Sequence, residues 1–203
     1  MIDAIAAAAG RDVSRETFER LETYVAMLTE EAGRQNLVSP STLETAWERH
    51  IIDSAQLARF EPFAGASWAD IGSGAGLPGI VIACLADGPV TLIEPRRLRA
   101  EFLHRVIESL GLNAKVAAAK AERVEGSFDV ITARAVTSLA RLLEISQHLS
   151  TRKTVWALPK GRNAQAELAE ALRSWQAMFH VERSVTDKDS YILVGTGVRA
   201  KSR

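Results

Sequence analysis

The chain has 203 residues, 47% hydrophobic and 25% charged, with as many basic as acidic side chains. That balance suits one globular domain with a sizeable core, and no apolar run reaches the roughly 18 residues that a membrane-spanning helix needs. The lone cysteine, Cys84, excludes an internal disulfide, and within GIVIACLA it reads as a small buried hydrophobe of a reducing compartment.

In chain order, the Ala-rich opening MIDAIAAAAGRD lacks the basic start and cleavage signature of a signal peptide and reads as a frayed or weakly helical terminus. From Ser14, the spacing of Phe18, Leu21, Val25 and Leu28 predicts a helix ending near Gly33. A second helix is predicted from the capping box Ser41-Thr-Leu-Glu44 through Trp47, Ile51 and Ser54 toward Ala58. Pro62 and Gly65 mark a break. Beyond it, SWADIG, PVTLIE, NAKVAAA, FDVITARA and TVWALP alternate with helical patterns at 97–110, 138–149 and 163–177, which implies βαβ units and a parallel sheet. FHVERSVT and SYILVGTGV, parted by Asp187-Lys-Asp, predict an antiparallel hairpin at the sheet edge.

The net charge of zero hides an asymmetry. Residues before Ser67 hold six basic and eleven acidic side chains, whereas 96–162 holds thirteen basic and six acidic, led by Arg96, Arg97, Arg99 and Arg105. Either a locally basic face or ordinary solvated helix surfaces would give this pattern.

The sharpest motif is Asp70-Ile-Gly72-Ser-Gly74-Ala-Gly76-Leu77, between a strand and a helix. Glycines there let the backbone turn tightly and let a ligand approach closely; a purely structural glycine turn is the alternative. The next strand ends in Glu94, an acid placed to hold the ribose hydroxyls of a nucleoside. A dinucleotide site wants a small residue where Leu77 stands, close to a pyrophosphate. S-adenosylmethionine has no pyrophosphate and tolerates the bulk, and Asp70 then fits near its amino-acid end.

Further stretches stand in a characteristic order: Asn36-Leu37, Arg49-His50-Ile-Ile-Asp53-Ser54, Arg96-Arg-Leu-Arg-Ala-Glu-Phe102-Leu, Ala121-Glu122, Ala133-Arg134-Ala135-Val136 and Lys160-Gly161. With the glycine loop extended to Gly79, they resemble the RsmG (glucose-inhibited division protein B) family of 16S ribosomal RNA guanine-N7 methyltransferases. The resemblance implies a Rossmann-like class I α/β fold, with a mostly parallel seven-stranded sheet, an antiparallel C-terminal hairpin and N-terminal helices. Residues 1–66 would form a helical extension packed on the core, and 67–203 the methyltransferase domain. It implies S-adenosylmethionine as cofactor, 16S ribosomal RNA or the small subunit as partner, and guanine 527 of the 530 loop as acceptor. A cytoplasmic monomer with no membrane partner is expected. A methyltransferase for a small molecule or protein, or a noncatalytic S-adenosylmethionine-binding regulator, are the alternatives.

By the same resemblance Gly72, Leu77, Ala121, Glu122 and Arg134 lie against the cofactor, joining Asp70, Gly74 and Glu94. Glu122, after a strand, could accept from the adenine amine or be a plain surface acid. Arg134, expected to close the strand FDVITARA, must meet an anion: the cofactor carboxylate, a substrate phosphate, or Asp70 or Asp53 in a structural ion pair. His50 and Asp53, three apart, share a helix face as a scaffold pair or a catalytic one. The four histidines lack metal-ligand spacing, so no metal is expected. N7 of guanine carries a lone pair and no proton, so positioning should suffice. Arg134 and Lys160 are candidates near O6, with Arg96 and Arg97 on phosphates.

Overall fold

The computed structural model describes residues 1–35, 37–38 and 45–201. Asn36 and the capping box Ser41–Glu44 lie outside the described residues.

The N-terminus is more ordered than its composition suggests. Helix α1 (Ile2–Ala9) ends at Gly10, which is left-handed at φ 65°, and buries Ile5, Ala8 and Ala9. The Arg11 guanidinium then donates to the Ala58 and Leu85 carbonyls and pairs with Glu61 at 2.7 Å. A small apolar stripe and a basic anchor thus fix a segment of otherwise weak helix signal. In α2 (Arg15–Ala32) the Ser14 hydroxyl caps the Thr17 amide; Leu21 and Leu28 turn inward as the spacing predicts, Phe18 and Val25 are partly buried, and Tyr24, outside that pattern, is fully buried.

The second predicted helix is irregular. Its described part runs as a π turn (Trp47–Ile52), one α turn (Asp53–Ala55) and a 3-10 turn (Gln56–Phe60). The bulge changes the pitch that the sequence spacing assumed, a feature frequent at functional sites.

Seven strands follow: β1 (Trp68–Ile71), β2 (Val90–Ile93), β3 (Ala114–Ala117), β4 (Phe128–Thr132), β5 (Ser150–Lys160), β6 (Trp175–Arg183) and β7 (Tyr191–Ala200). Their order is β3-β2-β1-β4-β5-β7-β6, parallel through β5, with β7 antiparallel to both neighbours. Helices α3 (Gly79–Leu85), α4 (Arg97–Leu110), α5 (Leu139–Ser146) and α6 (Ala164–Ser174) cover the faces. The last is shorter than the 163–177 expected, because Trp175, Ala177, Phe179 and Val181 alternate inward at strand period and begin β6. Strand β4 stops at Thr132, so Arg134 lies in the turn beyond it instead of closing it.

Two apolar layers flank the sheet. One joins Ile5, Leu21, Tyr24 and Leu28 to Ile80, Phe102 and Leu103, so the N-terminal helices share a core with α3 and α4. The other packs α5 and α6 onto the opposite face through Leu139, Leu142, Leu143 and Ala171. The chain order reverses at β1, between β2 and β4, and open α/β sheets bind ligands at the carboxyl ends beside such a point. No helix among the described residues is long and apolar enough to cross a membrane.

Candidate active site

Among the clefts that the described residues form at this edge, two meet at Ala135. The first encloses about 290 Å³ and includes Gly72, Glu94, Arg99, Ala121, Glu122 and Val136 in its walls. Its floor is the glycine loop. Gly72 has φ 67°, and a Cβ there would stand 2.8 Å from Val136 Cγ2, so only glycine lets the 134–138 turn settle on the loop. Glu94, 3% exposed, holds the loop's shape: Oε2 accepts from the Gly74 amide at 2.9 Å and Oε1 from the Arg96 amide at 2.8 Å. Each oxygen keeps a lone pair, so the carboxylate can serve ribose hydroxyls as well. Ala121 and Glu122 lie on a single 3-10 turn, with Glu122 3.5 Å from Arg141.

Of the predicted cofactor residues, Asp70, Gly74, Leu77 and Arg134 stand outside the lining of this cleft. Asp70 Oδ2 accepts from the Gly79 amide at 3.2 Å, while Oδ1 is buried without a hydrogen-bond partner among the described residues. Burial pushes its pKa up to about 7, against the pull of that hydrogen bond and of Arg134. Leu77 packs into the core beside α3. Arg99, Lys120, Ala135 and Val136 line the cleft without having been singled out as cofactor residues. Arg99, Ala135 and Val136 belong to the quoted motif stretches and Lys120 adjoins one, which was the available signal.

The second cleft, about 270 Å³, includes Arg134, Lys160, Glu167, Tyr191 and Asp53. It shares Ala135 with the first, and among the described residues Ala135 is the one non-glycine residue of positive φ, at 55°. A left-handed alanine costs roughly 1–2 kcal/mol, and such strain clusters at ligand sites. Arg134 meets Asp53, its Nη1 3.3 Å from Oδ2, and it also donates to the Arg49 carbonyl. Among the described anions it is thus Asp53, 81 positions away, that neutralises it. Asp53 Oδ1 accepts from Gln56 at 2.9 Å and from Thr186 at 2.8 Å, tying the bulged helix to the β6–β7 turn.

His50 is buried beside this pair, with Nδ1 3.1 Å from the Arg49 carbonyl and 3.4 Å from Arg134 Nη2. Burial first, and then the Arg134 charge, hold its pKa below the usual histidine value. Lys160, at the end of β5, donates to Glu167 at 2.8 Å and to the Thr137 carbonyl at 3.3 Å. Arg96 and Arg97 are exposed where α4 begins; Arg96 rims the first cleft, and Arg97 pairs with Glu101 one turn on. Among the described residues, no group of three or more His, Cys, Asp or Glu could hold a metal ion.

The first cleft fits S-adenosylmethionine in its donor set. It offers a buried carboxylate for ribose, apolar walls at Ile71, Ile93 and Val136, and a loop that a Cβ at Gly72 would jam. Comparison with known proteins points the same way. The chain resembles, in fold, an S-adenosylmethionine-dependent methyltransferase of Aquifex aeolicus, with TM-score 0.58, 15% identity and coverage of 78% of this chain and 98% of that one. A MtNAS variant crystallised with S-adenosylmethionine gives TM-score 0.61 at 18% identity, covering 88% and 74%. In sequence, the ribosomal RNA small subunit methyltransferase G of Sphingopyxis alaskensis is 48% identical over 187 residues, covering 91% of this chain and 80% of that protein. That of Zymomonas mobilis is 44% identical over 200 residues, covering 94% and 90%. The family model described as rRNA small subunit methyltransferase G matches residues 17–191. On this agreement of fold, cleft and sequence, the chain belongs to the rRNA small subunit methyltransferase G family.

Proposed function

We propose that this protein methylates N7 of a guanine in the 530 loop of 16S ribosomal RNA, using S-adenosylmethionine and acting as a cytoplasmic monomer. The observation that carries the reading is the meeting of two clefts at Ala135, one built for a nucleoside and the other lined by Arg134 and Lys160.

When bound, the cofactor supplies an electrophilic methyl group on a sulfonium. Glu94 would hold its ribose, and Ala121 and Glu122 its adenine, with Gly72 and Gly74 leaving room for close approach. The acceptor nitrogen has an in-plane lone pair and no proton, so the protein's task is to place it and to exclude competing geometries. The target base must leave its stack to reach the second cleft. There Lys160 has a third N–H beyond the two engaged by Glu167 and Thr137, which suits it to the guanine O6. Arg134, fixed by Asp53, supports the wall between the clefts. A bidentate arginine on O6 and N7 would cover the acceptor atom, so O6 must be met from the other side. Arg96 and Arg97 would meet phosphates at the entrance.

The test is mass spectrometry of ribosomal RNA from cells lacking the protein. One 7-methylguanosine of the 530 loop should vanish and return with the purified enzyme. Restoration at any other base, or at an exocyclic amine, overturns the assignment.

A further inference from the structure

The second cleft contains an ion pair whose pattern suits the Watson–Crick edge of guanine. Lys160 Nζ and Glu167 Oε2 lie 2.8 Å apart, with the lysine 11% and the glutamate 33% exposed at their side chains. Glu167 Oε2 also accepts from the Leu139 amide at 3.2 Å, which fixes the carboxylate between α5 and α6. Oε1 takes no hydrogen bond among the described residues. The cleft therefore presents a donor beside an acceptor, both anchored. The Watson–Crick edge of guanine reads acceptor, donor, donor: O6, N1–H and the N2 amine. Adenine presents a donor at N6 and an acceptor at N1, and would set amine against ammonium and lone pair against carboxylate.

We infer that Lys160 and Glu167 together read the Watson–Crick edge of the acceptor guanine, Lys160 on O6 and Glu167 on N1–H and the N2 amine. The inference rests on the proposed reaction at the same site. Its chemical sense is that the base is recognised along the edge opposite the imidazole ring, so N7 stays uncovered and can turn toward Ala135 and the first cleft. Flipped bases are commonly held by that edge, and a carboxylate is the matching acceptor for two adjacent N–H groups. Tyr191, on the same cleft wall, gives a flat surface for the ring.

The test uses small subunits reconstituted from ribosomal RNA with either guanosine or inosine at the target. Inosine keeps O6, N1–H and N7 and lacks only the N2 amine. Methyl transfer (kcat/KM) and equilibrium binding are both measured; binding is measured with S-adenosylhomocysteine present. Wild type should prefer guanosine by roughly ten- to a hundred-fold, the loss expected for one hydrogen bond to a charged acceptor. Glu167→Gln should shrink that preference to within about threefold while leaving cofactor affinity unchanged, and Glu167→Asp should keep part of it. Equal handling of the two bases by wild type overturns the inference. So does a Glu167→Gln enzyme that slows on both alike with its preference intact, since Glu167 would then only anchor Lys160 and α5. A methyl group found on an atom other than N7 counts against the proposed reaction, while the guanosine preference in binding still judges the reading of the edge.

Discussion

The Tyr24 hydroxyl, fully buried on α2, donates to the Ala75 carbonyl at 2.9 Å. An N-terminal helix thereby holds the tip of the cofactor loop. Tyr24→Phe keeps the ring but strands a buried carbonyl, so it should cost about 1–3 kcal/mol of stability and weaken cofactor binding. Denaturant unfolding and calorimetry check both. Unchanged cofactor affinity would show that the loop keeps its shape without this tie.

Glu94 carries a second expectation. Because it anchors the amides of Gly74 and Arg96 and also lines the cleft, Glu94→Ala should weaken S-adenosylmethionine binding by roughly 1–3 kcal/mol. Neither wild type nor variant should bind NAD, since the loop carries Leu77 where a dinucleotide motif wants a small residue. Tight NAD binding by calorimetry would contradict this.

Asp70 makes stability depend on pH. Its pKa in the folded chain, about 7, lies above the ordinary 3.8, so the folded state holds the extra proton. Stability should therefore fall as pH rises from about 4 through about 7 and level off above. Asp70→Asn should abolish that fall, a differential of up to about 4 kcal/mol across the window. Urea unfolding at several pH values gives the answer; parallel profiles for the two proteins would refute it.

At the entrance, Arg96→Ala and Arg97→Ala should each reduce the slope of log affinity against log salt by about 0.7–0.9. Arg97 first has to leave Glu101, an exposed pair worth only a few tenths of a kcal/mol. Binding measured between low and moderate salt decides the matter, and a salt-independent affinity would leave both arginines as solvated surface.

His50 is held neutral near pH 7 by burial and Arg134, and N7 offers it no proton to remove. Single-turnover transfer should be flat above neutrality. His50→Asn should lose less than the roughly 10²–10⁴-fold that removal of a general base costs. A rate rising tenfold per pH unit through the histidine range, lost in the variant, would point to a proton-bearing acceptor.

The sequence made legible what local rules govern: the helix from Ser14, the βαβ alternation, the glycine loop and the acid ending β2. These depend on neighbours within a turn or a strand. What escaped depends on long reach. Arg134 could be seen to need an anion, but the choice of Asp53 over Asp70 needed the fold, because a π turn re-aims the 47–52 segment. Lys160 was visible as a motif residue, whereas Glu167, seven positions on, carried no motif. The Ala-rich start gave only a weak helix signal, since its anchor is Arg11 reaching carbonyls 47 and 74 residues away.

The two clefts differ in when their parts are synthesised. Every residue lining the first falls between Ile71 and Ile145, whereas the second also needs Lys160, Glu167, Ser184 and Tyr191. The residues lining the first cleft are thus all synthesised before those that complete the second. The β6–β7 turn, through Thr186 and Asp53, closes the second cleft last. A chain lacking the final hairpin would hold every residue lining the first cleft but not the Ser184, Ser190, Tyr191 and Ile192 side of the second.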